Sequence, residues 1–345
     1  MTKFLKTSML EVYKMGSLAG LSGGIEIIST IIYKLNSLIM AVLMLTGGIT
    51  APATDNRINY SEPDAKLMAV VWGDTQVCNY NPEREASFIA SCKDIQNSAC
   101  QIDALLVAGD IVENGFQSEY DSLTDDLIDI TKVDNYIICS GNHDIRIRDY
   151  EQSTQRYYDF MNNLNDKERA IDNIWYEYEV NGYSFLVIGS DEMRFEDAYL
   201  SDAQLEWLDE RLAAITSTGK PAFVMSHYPL KDTHGLPNTW GTSLWESGTI
   251  GSQSDVVYEI LNRYPNVFYI TGHLHTGIGQ YTYEEIGNIH GINVPSIGIT
   301  NKDGDYNNAG TGVILEIYED KVVSRARDFG TGEYIPDYTV TYELV

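Results

Sequence analysis

Residues 67–76 read LMAVVWGDTQ, a run of six apolar residues that ends in a polar turn. An unbroken apolar run of this length predicts a strand that is buried on both faces. Four later runs repeat the pattern, each followed by a turn that carries Asp, Asn or His: Ala104–Ala108, Tyr136–Ser140, Ala222–Ser226 and Val267–Thr271. Such strands predict a sheet that is covered on both faces, as in an α/β protein.

Helical segments separate several of these strands. Pro82–Asn97 is typical of a helix, with proline in its first turn and an Asn-Ser stop. Ser201 predicts the N-cap of a second helix, in which apolar residues recur at helical spacing: Leu205, Leu208, Leu212 and Ile215. After His275, short strands follow without helices between them: Gln280–Tyr283, Asn293–Ile297, Val313–Tyr318 and Val322–Arg327. This change predicts mixed or antiparallel sheet at the end of the chain.

The turns that follow the five strands carry the candidate chemistry. In sheets of this kind, ligands bind outside the carboxyl ends of the strands. The polar residues at these ends are Asp74, Gln76, Asp110, Asn142, His143, Asp144, His227, His273 and His275. A single Gly-Asp turn or a lone histidine is commonly structural, but the set in this order predicts a shared site for divalent metals, which bind carboxylate, amide and imidazole ligands.

The ordered motifs Asp, Gly-Asp, Gly-Asn-His-Asp, His and Gly-His-x-His resemble those of the calcineurin-like metallophosphoesterase superfamily, from Asp74 to His275. The resemblance implies an α/β (α+β) fold of four layers, with two central mixed sheets flanked by helices. It also implies a dinuclear metal site at the carboxyl ends of the strands. The activity implied is hydrolysis of phosphate mono- or diesters by a hydroxide that bridges two divalent metals.

By this resemblance, Asp110 would bridge both metals, and the remaining ligands would be divided between them. One metal would be completed by Asp74 and His275, and the other by Asn142, His227 and His273. The first motif departs from the family's usual Asp-x-His, because Gln76 stands where the histidine is expected. Gln76 either binds through its amide oxygen or does not bind, so manganese is the expected metal here, with iron, zinc or magnesium as alternatives.

His143 is the candidate catalytic residue beside these ligands. In the family this histidine faces the substrate, where it would stabilise phosphoryl oxygens or protonate the leaving oxygen. Asp144 either orients the His143 imidazole or serves as a salt-bridge or helix-cap residue. Candidate substrate contacts are His234, in the long loop 231–253, and Asn114; a surface loop and a turn are the structural alternatives.

The charge of the chain limits its partners. The 345 residues include 23 Lys and Arg against 50 Asp and Glu, a net charge of −27. This charge repels phosphate backbones, so we expect no nucleic-acid partner and a small-molecule or surface-polymer phosphoester as substrate. Four cysteines are too few for a disulfide scaffold. Cys92 and Cys100 could pair only if the helix ends near Asn97.

The first 53 residues differ from the rest, with four lysines, two glutamates and a net charge of +2. Lys34, the apolar run Leu38–Leu45 and the Ala51-Pro52-Ala53 end are in the order of a secretory signal. We therefore expect a signal peptide or membrane segment over 1–53, a linker over 54–65 and a catalytic domain over 66–345, in a secreted or extracytoplasmic protein. An uncleaved anchor, an amphipathic helix and a later start at Met15 are the alternatives.

Two other functions are compatible with these motifs. A catalytically weak phosphate-ligand binder would keep the fold but leave the metal position beside Gln76 empty. A surface protein would be attached to the membrane through its N-terminal segment, which is the single membrane contact we expect. The oligomeric state is left open by the sequence.

Overall fold

The computed structural model describes residues 55–145, 149–239 and 248–345. Within them, twelve strands form two six-stranded mixed sheets. In chain order the strands are β1 Leu67–Trp72, β2 Ala104–Val107, β3 Tyr136–Ile138, β4 Tyr176–Val180, β5 Tyr183–Val187, β6 Ala222–Met225, β7 Val267–Thr271, β8 Tyr283–Ile286, β9 Ile289–Asn293, β10 Thr311–Ile317, β11 Lys321–Asp328 and β12 Glu333–Glu343.

The first sheet has parallel strands on one side and antiparallel strands on the other, and the second has a parallel centre between two antiparallel edges. The first has the order β12-β11-β10-β1-β2-β3, in which β1, β2 and β3 are parallel. The second has the order β4-β5-β6-β7-β9-β8, in which β5, β6, β7 and β9 are parallel. Because parallel strands end at the same edge, the turns after β1, β2 and β3 lie side by side, as do those after β6 and β7.

Helices flank both sheets. In chain order they are α1 Pro82–Gln96, α2 Gln117–Asp126, α3 Asn142–Ile145, α4 Tyr150–Leu164, α5 Asp202–Thr216 and α6 Ser254–Leu261. A π-helical turn at Leu127–Thr131 continues α2, and short 3-10 turns occur at Lys167–Arg169 and Gly251–Gln253.

The core has two parts because strand side chains alternate between the faces of a sheet. Phe185, Phe223 and Phe268 of neighbouring strands in the second sheet stack at 5.0 Å and pack in one apolar cluster with the first sheet. The alternate residue Leu186 packs on the opposite face, in a cluster that includes Leu208 of α5 and Leu261 of α6. The predicted fold is thereby confirmed: two sheets with their apolar faces together and helices outside.

The strongest sequence signals correspond closely to the observed elements. The strand predicted at Leu67–Trp72 is β1, and the strand predicted at Val267–Thr271 is β7. The helix α1 begins at Pro82 and ends with Asn97 as its C-cap. Ser201 caps α5, its side chain accepting from the Gln204 N–H.

Three strands were predicted less well or not at all. The strand expected at Asn293–Ile297 lies earlier, at β9, and the one expected at Gln280–Tyr283 lies later, at β8. Both form a hairpin in which polar residues interrupt the apolar pattern. The longest strand, β12, was not predicted, because its residues are mostly exposed at a sheet edge and do not form an apolar run.

The segment 55–65, the described part of the predicted linker, lies against the first sheet. Ile58 is fully buried, and the Ser61 hydroxyl donates to the Glu316 carboxylate of β10 at 2.5 Å. The predicted signal or membrane segment 1–53 lies outside the described residues. Over 55–145, 149–239 and 248–345, the structure has no helix with the length and hydrophobicity needed to cross a bilayer.

The cysteines do not pair. All four are free, so the Cys92–Cys100 disulfide left open above does not form in this structure. The helix does end before Cys100, as that pairing would require, but the Cys100 thiol lies 3.4 Å from the Met68 sulfur instead.

Candidate active site

The two sheets contribute complementary halves of one site. Asp74 and Asp110 follow β1 and β2 of the first sheet, while His227 and His273 follow β6 and β7 of the second. Hydrogen bonds from backbone N–H groups join the halves to each other and link the turns within one half. Between the halves, the His273 N–H donates to Asp74 Oδ2 at 3.0 Å. Within the first half, the Asp74 N–H donates to the Gly109 carbonyl at 3.2 Å.

The backbone is strained where most of these side chains are presented. Left-handed φ values occur at five of the predicted ligands: Asp74 (43°), Gln76 (39°), Asp110 (49°), His273 (70°) and His275 (51°). Such conformations cost on the order of 1–3 kcal/mol each and persist only where the surrounding structure enforces them. Their concentration at one edge of the sheets indicates a functional site.

Glycine is required in the turns because neighbouring groups approach the backbone closely. A Cβ at Gly141 would lie 2.1 Å from Asp110 Oδ1. Gly109 has a φ of +81°, and a Cβ there would lie 2.6 Å from His227 Nδ1. The glycines of the Gly-Asp and Gly-Asn motifs are therefore needed for Asp110 and His227 to approach each other.

One group of potential metal ligands consists of Asp110, His227 and His273, whose ligand atoms all lie within 4.8 Å of one another. His227 Nε2 is 3.3 Å from Asp110 Oδ1 and 2.9 Å from His273 Nδ1. The other ring nitrogen of His227 donates to the Ala108 carbonyl at 2.8 Å, which leaves Nε2 for a metal. Asn142 joins this group, with its Oδ1 3.1 Å from His227 Nε2.

A second group consists of Asp74, Asp110 and His275, again within 4.8 Å. His275 Nε2 lies 3.0 Å from Asp74 Oδ1. Asp110 is common to both groups, in the position expected of a bridging carboxylate. The structure thus brings together six of the seven predicted ligands as two overlapping sets.

Charges within the site are strongly coupled. Burial opposes ionisation of Asp110, but the imidazoles of His227 and His143 outweigh it and hold the Asp110 pKa well below its ordinary value. Burial likewise opposes protonation of His227, but the Asp110 carboxylate raises the His227 pKa to about 9. Burial, reinforced by the charge of His227, lowers the His273 pKa well below its ordinary value. The Asp110 carboxylate and the His227 imidazole therefore favour each other's charged form.

Gln76, the seventh predicted ligand, contacts the shared carboxylate. Its Nε2 lies 3.4 Å from Asp110 Oδ2. Its Oε1 is buried and has no hydrogen-bond partner among the residues that the structure describes. A buried amide oxygen without a donor is costly, and a cation would satisfy it. The donor set of carboxylates, imidazoles and amide oxygens fits divalent metal ions.

The family model for calcineurin-like phosphoesterases matches residues 69–277. The chain belongs to the calcineurin-like phosphoesterase family. It is therefore a phosphoric ester hydrolase, and metal-dependent hydrolysis of phosphoesters is the activity of this family.

Two known proteins are similar to this phosphoesterase, one in sequence and one in structure. A 3′,5′-cyclic-nucleotide phosphodiesterase of Nostoc sp. is 24% identical over 211 residues, which cover 61% of this chain and 68% of that protein. The crystal structure of a dimetal phosphatase from Danio rerio aligns with a TM-score of 0.51 and 14% identity, covering 82% of this chain and 100% of that one. At this identity the second likeness shows the fold alone.

His143 lies beside the shared carboxylate of the phosphoesterase. Its backbone N–H donates to Asp110 Oδ1 at 2.9 Å, and its Nε2 is 3.8 Å from Asp110 Oδ2. Its Nδ1 is 2.7 Å from the carbonyl oxygen of Glu113. The His143 side chain is 14% exposed, so it can be reached from solvent.

Of the two kinds of role predicted for Asp144, the structure favours the structural one. Its carboxylate does not serve to orient the His143 ring, whose Nδ1 is held by Glu113. It accepts hydrogen bonds from the N–H groups of Ile111, Val112 and Gly141 and from the Tyr120 hydroxyl. Burial, followed by the charge of Asp110, raises the Asp144 pKa to about 7. Asp144 therefore links the turn after β2 to the turn after β3, which is a structural role.

The predicted substrate contacts, His234 and Asn114, have structural partners. His234 is buried against the β8–β9 hairpin, where its Nδ1 is 2.8 Å from the Tyr281 carbonyl and its N–H donates to Glu284. The prediction of a phosphate contact is not supported by these neighbours, because loop 231–239 packs on the second sheet. Asn114 donates to Glu119 at 2.8 Å in the turn before α2, which matches the structural alternative.

Two acidic residues near the site were not predicted. Glu113 forms an ion pair with Arg84, whose guanidinium also donates to the Gln76 carbonyl at 3.0 Å. Glu196 lies in the loop between β5 and α5, with its Oε2 3.8 Å from His273 Nε2. Neither glutamate belongs to the ordered motifs that follow the strands. The one sequence signal for Glu113 was its position three residues after Asp110, and Glu196 had none.

Proposed function

We propose that the protein hydrolyses small phosphodiesters with two divalent cations that share Asp110. The observation that carries the proposal is the overlap of the two ligand groups at this carboxylate. A shared anion is what two cations about 3.5–4 Å apart require. When bound, the pair would supply Lewis-acid stabilisation of the phosphoryl oxygens and a bridging hydroxide as nucleophile.

The protein's own residues would hold the substrate against this centre. His143 presents its Nε2 edge at the Asp110 side of the site, where a leaving oxygen would need a proton. The hydrogen bond from Nδ1 to the Glu113 carbonyl fixes the orientation of the ring. Nε2 would then donate its proton to the leaving oxygen. In this proposal His143 is the catalytic residue, and Asp144 only maintains the turns that carry His143 and Asp110.

A diester is favoured over a monoester by the charge around the ligands. Glu113 Oε1 lies 3.7 Å from His143 Nδ1, and Glu196 Oε2 lies 3.8 Å from His273 Nε2. Arg84 offsets part of the Glu113 charge, but the two carboxylates together repel a dianionic monoester more strongly than a monoanionic diester. The Nostoc relative is named as a cyclic-nucleotide phosphodiesterase, which supports the same choice.

We propose manganese as the metal of the exchangeable site. Gln76 would contribute an amide oxygen beside Asp74 and His275, so this position would have one imidazole, whereas the other would have two, from His227 and His273. Oxygen ligands suit manganese and magnesium, and imidazole suits zinc and iron. The two positions would therefore differ in affinity.

Export completes the proposal. The apolar run Leu38–Leu45 behind Lys34 and before Ala51-Pro52-Ala53 supports a secretory leader and an extracytoplasmic enzyme.

The substrate class can be tested with a matched pair of aryl esters and a cyclic nucleotide. Bis(p-nitrophenyl) phosphate, p-nitrophenyl phosphate and 3′,5′-cyclic AMP would be assayed with dialysed protein, with and without added Mn²⁺. We expect Mn²⁺-dependent hydrolysis of the diesters with the larger kcat/KM. The variant Asp110→Asn, prepared in parallel, controls for contaminating phosphatases. Faster hydrolysis of the monoester would contradict the diester assignment, and activity that survives chelation would contradict the metal mechanism.

A further inference from the structure

Glu196, in the loop between β5 and α5, lies behind two ligands of the same proposed metal. Its Oε2 is 3.5 Å from Asn142 Nδ2 and 3.8 Å from His273 Nε2. We propose that Glu196 is a positioning residue, whose carboxylate fixes the orientation of both ligands toward one cation. The inference rests on the proposed metal-dependent function.

The Asn142 amide shows the first half of this arrangement. Its Oδ1 faces the metal group, 3.1 Å from His227 Nε2, while its Nδ2 donates to Glu196. A carboxylate accepts hydrogen bonds and cannot donate them when ionised. Glu196 thus selects the amide orientation in which oxygen, the ligand atom, points at the cation.

The His273 imidazole shows the second half. Its Nδ1 lies 2.9 Å from His227 Nε2, inside the ligand group, and its Nε2 is on the side of Glu196. The 3.8 Å separation is within ion-pair range and longer than a hydrogen bond. A carboxylate on this side favours the tautomer with the proton on Nε2, which leaves the Nδ1 lone pair for a metal.

The loop is held in place independently of the ligands. The Gly248 N–H donates to the Glu196 carbonyl at 2.9 Å, which joins the loop to the chain that precedes α6. The Asp191 N–H donates to the Tyr199 carbonyl at 2.7 Å, which closes the base of the loop. The Glu196 side chain is therefore presented from a closed loop and is only 26% exposed.

The location of Glu196 predicts an effect on one metal position alone. Asn142 and His273 belong to the position that also has His227, while Asp74 and His275 belong to the other. Outer carboxylates that orient metal ligands typically contribute 10–100-fold to metal affinity. Loss of the Glu196 carboxylate should weaken the tighter position and leave the position beside Gln76 unchanged.

The test measures metal binding without substrate. Full-length protein and the variants Glu196→Gln and Glu196→Ala would be titrated with Mn²⁺ and Zn²⁺ against a fluorescent chelator, which resolves two affinities. We expect Glu196→Ala to lower the higher affinity about 10–100-fold. Glu196→Gln should lie between Ala and the parent, because its amide oxygen still accepts from Asn142 but carries no charge. Glu192→Ala, which removes a carboxylate paired with Arg194 in the same loop, is the matched control.

The outcomes separate this inference from the function on which it rests. Unchanged affinities, or an equal loss at both positions, would each overturn the role of Glu196. Thermal unfolding of the metal-free variants identifies any general loss of the fold, which would also count against a positioning role. A parent protein that binds no metal would overturn the proposed function as well.

Discussion

His143 Nδ1 lies 2.7 Å from the carbonyl oxygen of Glu113. A carbonyl oxygen only accepts hydrogen bonds, so Nδ1 carries a proton whether the ring is neutral or charged. The neutral ring therefore has its lone pair on Nε2, the atom that faces Asp110 Oδ2 at 3.8 Å. The backbone of Glu113 thus determines which nitrogen of His143 can exchange a proton at the metal centre.

Replacing His143 with alanine should reduce turnover and leave the metals bound. The imidazole lies next to Asp110 but is not in either ligand group. Loss of a general acid typically costs 10²–10⁴-fold in rate. Steady-state kinetics and metal analysis of the same preparation check both parts. If His143→Ala loses metal as completely as Asp110→Asn, then His143 is a ligand and the assignment is wrong.

Asp110→Asn should empty both metal positions together. The carboxylate is the member that the two ligand groups share, and an amide cannot supply its negative charge to two cations. We expect metal content and activity to fall by more than about 100-fold, the upper range for a residue that only supports ligands. Asp255→Asn, at a carboxylate that is 69% exposed and paired with Lys231, should change neither. Retention of one full equivalent of metal would show that Asp110 is not a bridge.

Asp144→Asn should lower the free energy of unfolding more than it changes the chemistry. The buried carboxylate accepts hydrogen bonds from the backbone of the turn after β2 and from Gly141. An amide group turned toward those N–H donors leaves buried groups unsatisfied, at a cost of about 1–3 kcal/mol. Urea unfolding of the metal-free protein measures this loss. Tyr120→Phe, which removes one hydrogen bond to Asp144, should cost only about 1 kcal/mol. If Asp144→Asn is as stable as the parent but has lost turnover, then Asp144 has a catalytic role.

The metal centre was predictable because its ligands lie in short motifs next to apolar runs of the sequence. Each ligand directly follows a buried strand, so Asp74 and Asp110 could be placed at one sheet edge from the parallel pairing alone. Glycine before Asp110 and before Asn142 marked the same positions, since a side chain there would collide with the site. Order along the chain and proximity in space coincide for these residues.

The remaining features depend on tertiary contacts that leave no pattern. Glu196 approaches His273 because the β5–α5 loop folds back over the site, and no spacing relates the two positions. His234 follows His227 by seven residues, but its loop packs on the β8–β9 hairpin instead of turning to the metals. Asp144 looked like the partner of its neighbour His143, whereas helical geometry at α3 turns its carboxylate to the backbone of Ile111.

We expect the mature chain to begin near Thr54. Lys34, the apolar run and Ala51-Pro52-Ala53 follow one another in the order of a signal peptide, in which a positive region and an apolar region precede the cleavage site. N-terminal sequencing of protein recovered from the producing cells checks the cleavage point. The variant Ala53→Arg, which places a large cation where small residues are preferred, should slow processing. A mature N-terminus upstream of Leu38 would favour an anchor over a leader.

Gln76→His should change which metal the phosphoesterase retains. Gln76 Nε2 lies 3.4 Å from Asp110 Oδ2, so a side chain at this position reaches the shared carboxylate. Its backbone φ of 39° is one that histidine tolerates better than most residues. Imidazole in place of an amide would give the position of Asp74 and His275 a second nitrogen ligand, and nitrogen ligands shift preference toward zinc and iron.

The comparison requires both proteins to be exposed to the same mild chelation. The parent should lose one equivalent of metal and regain activity with Mn²⁺, because an amide oxygen is a weaker ligand than imidazole. Gln76→His should retain two equivalents and prefer Zn²⁺ or iron.

Gln76→Ala separates the two ways in which glutamine could act. If its buried Oε1 binds the metal, alanine should weaken the exchangeable position further, and if Nε2 only donates to Asp110, metal retention should match the parent. Two equivalents of zinc or iron held equally by the parent would mean that Gln76 does not weaken its position, and the proposed inequality between the two metals would be wrong.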